Sequence, residues 1–196
     1  MLIDLHANPG DLDPRAFAQK IYDVGLGGAV VARTHKAGDL TEWVAALEDL
    51  DLAGFAGVTL ELDKGRLVFI PDDWEGEFAT TDWTPPEGRT WTWEAAKAKA
   101  DAIGGALFAS HPYDRSSQAP ADGVYQFKGV DGVAVRSMAE RAGWDRLAEA
   151  AARTLEAARV GSSGGDPDRI GVAGTVVDDE IMSEPELVEA IKSGPT

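Results

Sequence analysis

Apolar and polar positions along the chain alternate between short apolar runs and amphipathic stretches. The first run, residues 1–5, is followed after Pro9-Gly10 by a stretch with Asp13 as N-cap and Pro14 at the first helical position. Phe17, Ile21 and Val24 fall on one stripe, which predicts an amphipathic helix closed by Gly25. Residues 28–32 predict a buried strand. Around residues 40–47 a second helical pattern carries Trp43, Leu47 and Leu50 on its face, and residues 57–62 predict a third strand with residues 66–70 as its hairpin partner.

From Pro71 to about residue 90 the texture becomes rich in Asp, Trp and Pro, which predicts a long surface loop or lid. A helix is expected over 92–102 with Thr92 as its cap, then a strand over 106–109. An irregular stretch over 113–124 precedes a strand over 130–135 and an alanine-rich helix from about 138 to 158. The end holds a glycine-rich loop over 161–166, a strand-like 170–177 and a helix over 184–191 with Pro185 in its first turn. No internal repeat or separating linker appears, so residues 1–196 are expected to form a single domain. Buried strands alternating with helices predict parallel strands covered by helices, as an open doubly wound sheet or a closed or distorted barrel.

Composition narrows the function. Of 196 residues, 18 are Lys or Arg against 34 Asp or Glu, for a net charge of −16. A polyanion would meet a repulsive average field, so neither nucleic acid nor an anionic membrane is expected as partner. No window approaches 18 consecutive apolar residues and the start lacks a signal-peptide pattern, so a cytoplasmic location is expected. With no cysteine, metal or acid-base chemistry falls to carboxylates and three histidines.

Those histidines stand at comparable places. His6, His35 and His111 each follow an apolar run, and the carboxyl ends of strands in parallel α/β folds form the rim where sites are built. Glu61, late in its own strand, joins them. Imidazoles with a carboxylate suit zinc, manganese or iron, whereas hydrogen-bonded histidines at loop starts are the plainer alternative.

The order Asp4-Leu5-His6, Asp13-Pro14-Arg15-Ala16-Phe17, Gly25-Leu26-Gly27-Gly28-Ala29-Val30-Val31 and His35 resembles the polymerase-and-histidinol-phosphatase (PHP) family. So do Gly57-Val58-Thr59-Leu60-Glu61, Gly104-Gly105-Ala106-Leu107-Phe108-Ala109-Ser110-His111-Pro112-Tyr113, Gly132-Val133-Ala134-Val135, Ile170-Gly171 and the closing stretch from Glu184 to Gly194. The resemblance implies a distorted (β/α)7 barrel of the PHP type. It also implies a cluster of zinc, manganese or iron ions used in phosphoesterase chemistry, with His6, His35, Glu61 and His111 as surviving ligands. The departures fall on other ligand positions: Asn8 replaces the second His of the opening motif, Thr34 an Asp and Ala134 a carboxylate, while the late Asp-x-His falls on Ser163 and Gly165.

Four ligands are too few for two or three closely spaced ions and an activated water. Asp166 adds an oxygen donor if the glycine loop folds back; otherwise it starts a turn with Pro167. Arg33 and Arg136 lie two residues from site positions and, if they point inward, would stand in for missing cations or grip an anionic ligand. The expectation is thus a degenerate barrel with reduced or absent metal and weak or absent hydrolysis, serving a binding or regulatory role toward a small anionic ligand or a protein partner. The alternative is an active phosphoesterase on small phosphate esters with one or two ions. A third possibility, an interaction module, would use the segment bearing Trp74, Trp83, Trp91 and Trp93. Packing of those rings against the barrel side is the simpler reading, and a lid over the mouth is the other alternative.

Overall fold

In the computed structural model the residues described are 1–34, 40–86, 90–113, 119–136, 142–164, 166–177 and 181–194, and the side chains of Arg136 and Ala142 are outside the description. Strands β1 (Leu2–Ala7), β2 (Gly28–Thr34), β3 (Ala53–Glu61), β4 (Arg66–Pro71), β5 (Gly105–Ser110), β6 (Gly132–Arg136), β7 (Ala158–Gly161) and β8 (Thr175–Val176) form one sheet. Its order is β7-β6-β5-β4-β3-β2-β1-β8. The pairs β1–β2, β2–β3, β5–β6 and β6–β7 are parallel, whereas β4 runs antiparallel to both β3 and β5. The hairpin predicted after β3 is therefore present.

Helices form where capping and periodicity place them. Helix α1 (Pro14–Asp23) starts at Asp13, whose carboxylate accepts the Ala16 N–H at 2.8 Å. Helix α2 spans Thr41–Glu48, and α3 (Trp93–Ile103) is capped by the Thr92 hydroxyl. Helix α4 covers Ala142–Leu155 and ends before the predicted 158, while its predicted start at about 138 lies outside the described residues; α5 (Glu184–Ser193) carries a capping box between Ser183 and Glu186.

Alternation along the strands divides the core into two layers. Ala29, Val31, Val58, Leu60, Leu67, Phe69, Leu107 and Val133 pack outward against α1 to α4. Leu5, Val30, Ala32, Phe55, Val68, Ile70, Phe108, Ala134 and Val160 face inward, joined by Leu187, Val188 and Ile191 of α5. Two apolar layers on opposite faces of one sheet are what a curved, nearly closed sheet requires: the chain is a distorted barrel with helices outside and α5 plugging the interior.

Two expectations change at the chain's end. Residues 158–161, expected as a helix end and the start of a loop, form β7, and the strand-like 170–177 contributes only the two residues of β8. Closure between β7 and β8 uses a side chain: the Thr175 hydroxyl accepts the Gly161 N–H at 2.9 Å and donates to the Gly161 carbonyl at 3.0 Å. Only glycine fits there, since a Cβ on Gly161 would overlap the Gly174 carbonyl oxygen.

Within the 71–90 segment, Asp73 caps an irregular turn at Trp74–Phe78. Trp83 is buried on Phe69 and Phe78 with ring centroids 5.3 and 5.4 Å away, and Trp91 is buried as well. Trp74 and Trp93 are partly buried against the same outer core.

Candidate functional site

The inner face changes from apolar to polar at the carboxyl ends of the parallel strands. On β3, Val58 and Leu60 point outward, so Thr59 and Glu61 face the interior; on β5, Ser110 follows Ala106 and Phe108 inward. Strand β4 runs the other way, which brings its first residue, Arg66, to the same end. Arg66 is the register partner of both Glu61 and Ser110.

His6 reaches this layer because β1 carries a bulge. Its register shifts between Asp4 and Ala7, and the Asp4 carboxylate accepts the His6 N–H at 3.0 Å within the irregularity. The ring is 1% exposed, with Nδ1 3.0 Å from the Ser110 hydroxyl and Nε2 3.0 Å from the Thr59 hydroxyl. Burial first, then the charges of His111 and Arg66, push its pKa well below the ordinary value and hold the ring neutral.

Asp4 ties β1 to the segment after β7. Its Oδ1 also accepts the Ser163 N–H at 3.0 Å, while the Ser163 hydroxyl donates to the His6 carbonyl at 3.1 Å. Its other oxygen, Oδ2, is buried without a hydrogen-bond partner among the described residues, and burial raises the carboxyl's pKa against the opposing bonds from Ser163 and His6. His111 sits just past β5 with φ 48°, an uncommon backbone for a residue with a side chain. Its Nε2 lies 3.4 Å from the Ser162 hydroxyl, and its ring fills the space that a Cβ on Gly164 would need.

Glu61 is partnered by Arg66, Oε1 to Nη2 at 3.3 Å, with side chains 32% and 37% exposed. Asp166 is engaged locally: it caps the turn at Pro167–Arg169 and pairs with Arg169 Nε at 3.0 Å. Arg33 is the register partner of Val58 and alternates with Ala29 and Val31, on the helix side of β2, while Val30 and Ala32 face inward. His35 and the side chain of Arg136 lie outside the described residues.

The structure thus brings His6 and Glu61 together with four groups that sequence reasoning did not single out: Thr59, Arg66, Ser110 and Asp4. A signal for three of them exists. Thr59 lies two residues before Glu61, Ser110 immediately precedes His111, and Arg66 opens the strand expected to pair with that of Glu61.

Among the described residues, this donor set does not fit a two- or three-ion centre. Both ring nitrogens of His6 face hydroxyls, Glu61 has a guanidinium partner, and among the described residues no three His, Asp or Glu side chains converge as a metal would require. Chemically, the described residues of the layer offer a neutral imidazole, two hydroxyls, and the guanidinium of Arg66 paired with the Glu61 carboxylate.

No protein-family model and no curated protein matches the chain. Solved structures do. A presumed metal-dependent phosphoesterase from Bifidobacterium adolescentis superposes with a TM-score of 0.65 at 14% identity, covering 99% of this chain and 96% of that one. An amidohydrolase from Chromobacterium violaceum, solved with bound sulfate and no metal, superposes with a TM-score of 0.68, also at 14% identity and 95% coverage of both chains. The chain therefore has a fold that occurs among hydrolases.

Proposed function

We propose that this chain is a degenerate PHP-type barrel that works as a binding or regulatory protein through the polar layer at its strand ends, without multinuclear phosphoesterase chemistry. The observation that carries the reading is the state of two groups that the family resemblance assigns to metal. His6 is hydrogen-bonded through both ring nitrogens to Thr59 and Ser110, and Glu61 is paired with Arg66. Hydrolysis at a metal centre needs open coordination positions and a water acidified by the ion. In this layer the lone pair of the imidazole and the carboxylate both have protein partners, and among the described residues the cation beside the carboxylate is the Arg66 guanidinium. The hydrolase neighbours support the fold, and a net charge of −16 makes nucleic acid and anionic membranes poor partners.

The test is metal analysis of protein purified without added metal, paired with a phosphoesterase assay on small phosphate esters with and without manganese. The expected result is zinc, manganese and iron well below one equivalent, no manganese-dependent turnover, and a Tm unchanged by EDTA. Stoichiometric metal with hydrolysis that disappears in Glu61→Ala would overturn the reading in favour of an active metal-dependent phosphoesterase.

A further inference from the structure

We infer that the barrel mouth binds a small oxyanion, a phosphoryl or carboxylate group, directly on the Arg66 guanidinium and a hydroxyl of the Thr59 and Ser110 pair, with no divalent metal between them. This rests on the reading of the site as one that lacks a multinuclear centre.

The first support is a count of hydrogens. Each hydroxyl has one proton to donate, and a neutral imidazole has one N–H and one lone pair. One of the two hydroxyls therefore donates to the His6 ring, while the other accepts from it and keeps its own proton. A doubly protonated ring would leave both protons uncommitted. Neither Thr59 nor Ser110 has a second hydrogen-bond partner among the described residues, so in either state at least one O–H on the inner face has no acceptor among them. Both side chains are buried, so bulk water does not readily satisfy that donor.

Arg66 supplies the charge. It stands in register with Ser110 on one side and Glu61 on the other, at the opening of the barrel. Of its five N–H donors, the described residues engage only one, through a single contact at 3.3 Å. The Glu61 carboxylate is itself an oxyanion seated on this guanidinium. A pair so exposed and held at one point is weak, so an incoming anion that engages two N–H groups and the buried O–H can displace it. Arg66 and Ser110 stand in one register row of the inner face and Thr59, paired with Val68, stands two residues deeper on the same face, which gives a tetrahedral or planar oxyanion more than one direction of contact.

The experiment is isothermal titration of the full chain, stripped with EDTA, with inorganic phosphate and separately with acetate, at ionic strength held constant with sodium chloride. Saturable binding is expected, weakened about tenfold or more in Arg66→Met and less in Arg66→Lys, which keeps the charge but loses the fork. Ser110→Ala and Thr59→Val, made in parallel, should each weaken it by a smaller factor. The tighter of the two anions identifies the ligand as phosphoryl or carboxylate. A folded, metal-free wild type that binds neither, or binding undiminished in Arg66→Met, overturns the inference and leaves the degenerate reading standing. Binding that appears only after one equivalent of manganese is added overturns both.

Discussion

Burial keeps the His6 ring neutral, and the nearby positive groups act in the same direction, so its ordinary value near 6.5 belongs to the unfolded chain alone. The stability this lends is fully present above that value. It is lost as pH falls toward the depressed folded value, because the unfolded chain then takes up a proton that the folded one refuses. Between pH 7 and 5 the urea midpoint should fall, the ring contributing a slope of up to about 1.4 kcal/mol per pH unit. His6→Gln, which does not titrate, should lose that part of the slope; equal slopes in the two proteins would show that the ring is not held neutral. Asp4 works in the opposite sense in a lower window. Its folded carboxyl keeps a proton to higher pH than the unfolded one, so its contribution is full below 3.8 and declines as pH rises. At this scale the histidines and Glu61 are visible in the sequence because they close apolar runs. Arg66 is not, because its role depends on pairing across a hairpin: the sequence distance from Arg66 to Glu61 is ordinary, and their meeting depends on register. Arg33 has the more suggestive spacing, yet strand alternation puts it among outward-facing neighbours.

Elements with their own local signal are legible almost to the residue. Asp13 and Thr92 cap α1 and α3 where the side-chain pattern expects them, since an N-cap is a property of four consecutive residues. Strands β7 and β8 lack such a signal, being four and two residues long, β7 ending on Gly161 and β8 following Gly174, and they exist because neighbours pair with them. Thr175 is the clearest case. Thr175→Val keeps the shape but leaves the Gly161 N–H and carbonyl without their partner, and should cost about 1–3 kcal/mol in chemical denaturation. Thr175→Ser should recover most of it. The Trp-bearing segment behaves as core where its rings are buried. Trp83→Ala should cost about 3–5 kcal/mol, because it empties a site between Phe69 and Phe78. A loss below about 1 kcal/mol would place that ring outside the cooperative core.

For the whole molecule, the strand and helix pattern leaves open sheet and barrel unresolved, since both need buried strands covered by helices. The decision lies in contacts between distant parts of the chain, and those are made by Asp4, Ser163, Thr175 and Gly161. The net charge of −16 acts at the same scale. Self-repulsion among so many carboxylates should be relieved by salt, so Tm should rise as sodium chloride is raised from about 10 mM to about 150 mM, where the screening length falls to about 8 Å. A flat or falling Tm would mean that paired charges outweigh the excess.

The seam that shuts the barrel joins residues 159 positions apart at Asp4 and Ser163, and it is held by hydroxyls and a carboxylate where the other strands have ladders of backbone bonds. Such a join must wait for nearly the whole chain to be in place and gives way at lower cost than a paired strand. In native-state hydrogen exchange, the Gly161 and Ser163 amides should open through a sub-global step that leaves β2 and β3 protected. The molecule would then breathe along one line, and that line ends at the mouth beside His6.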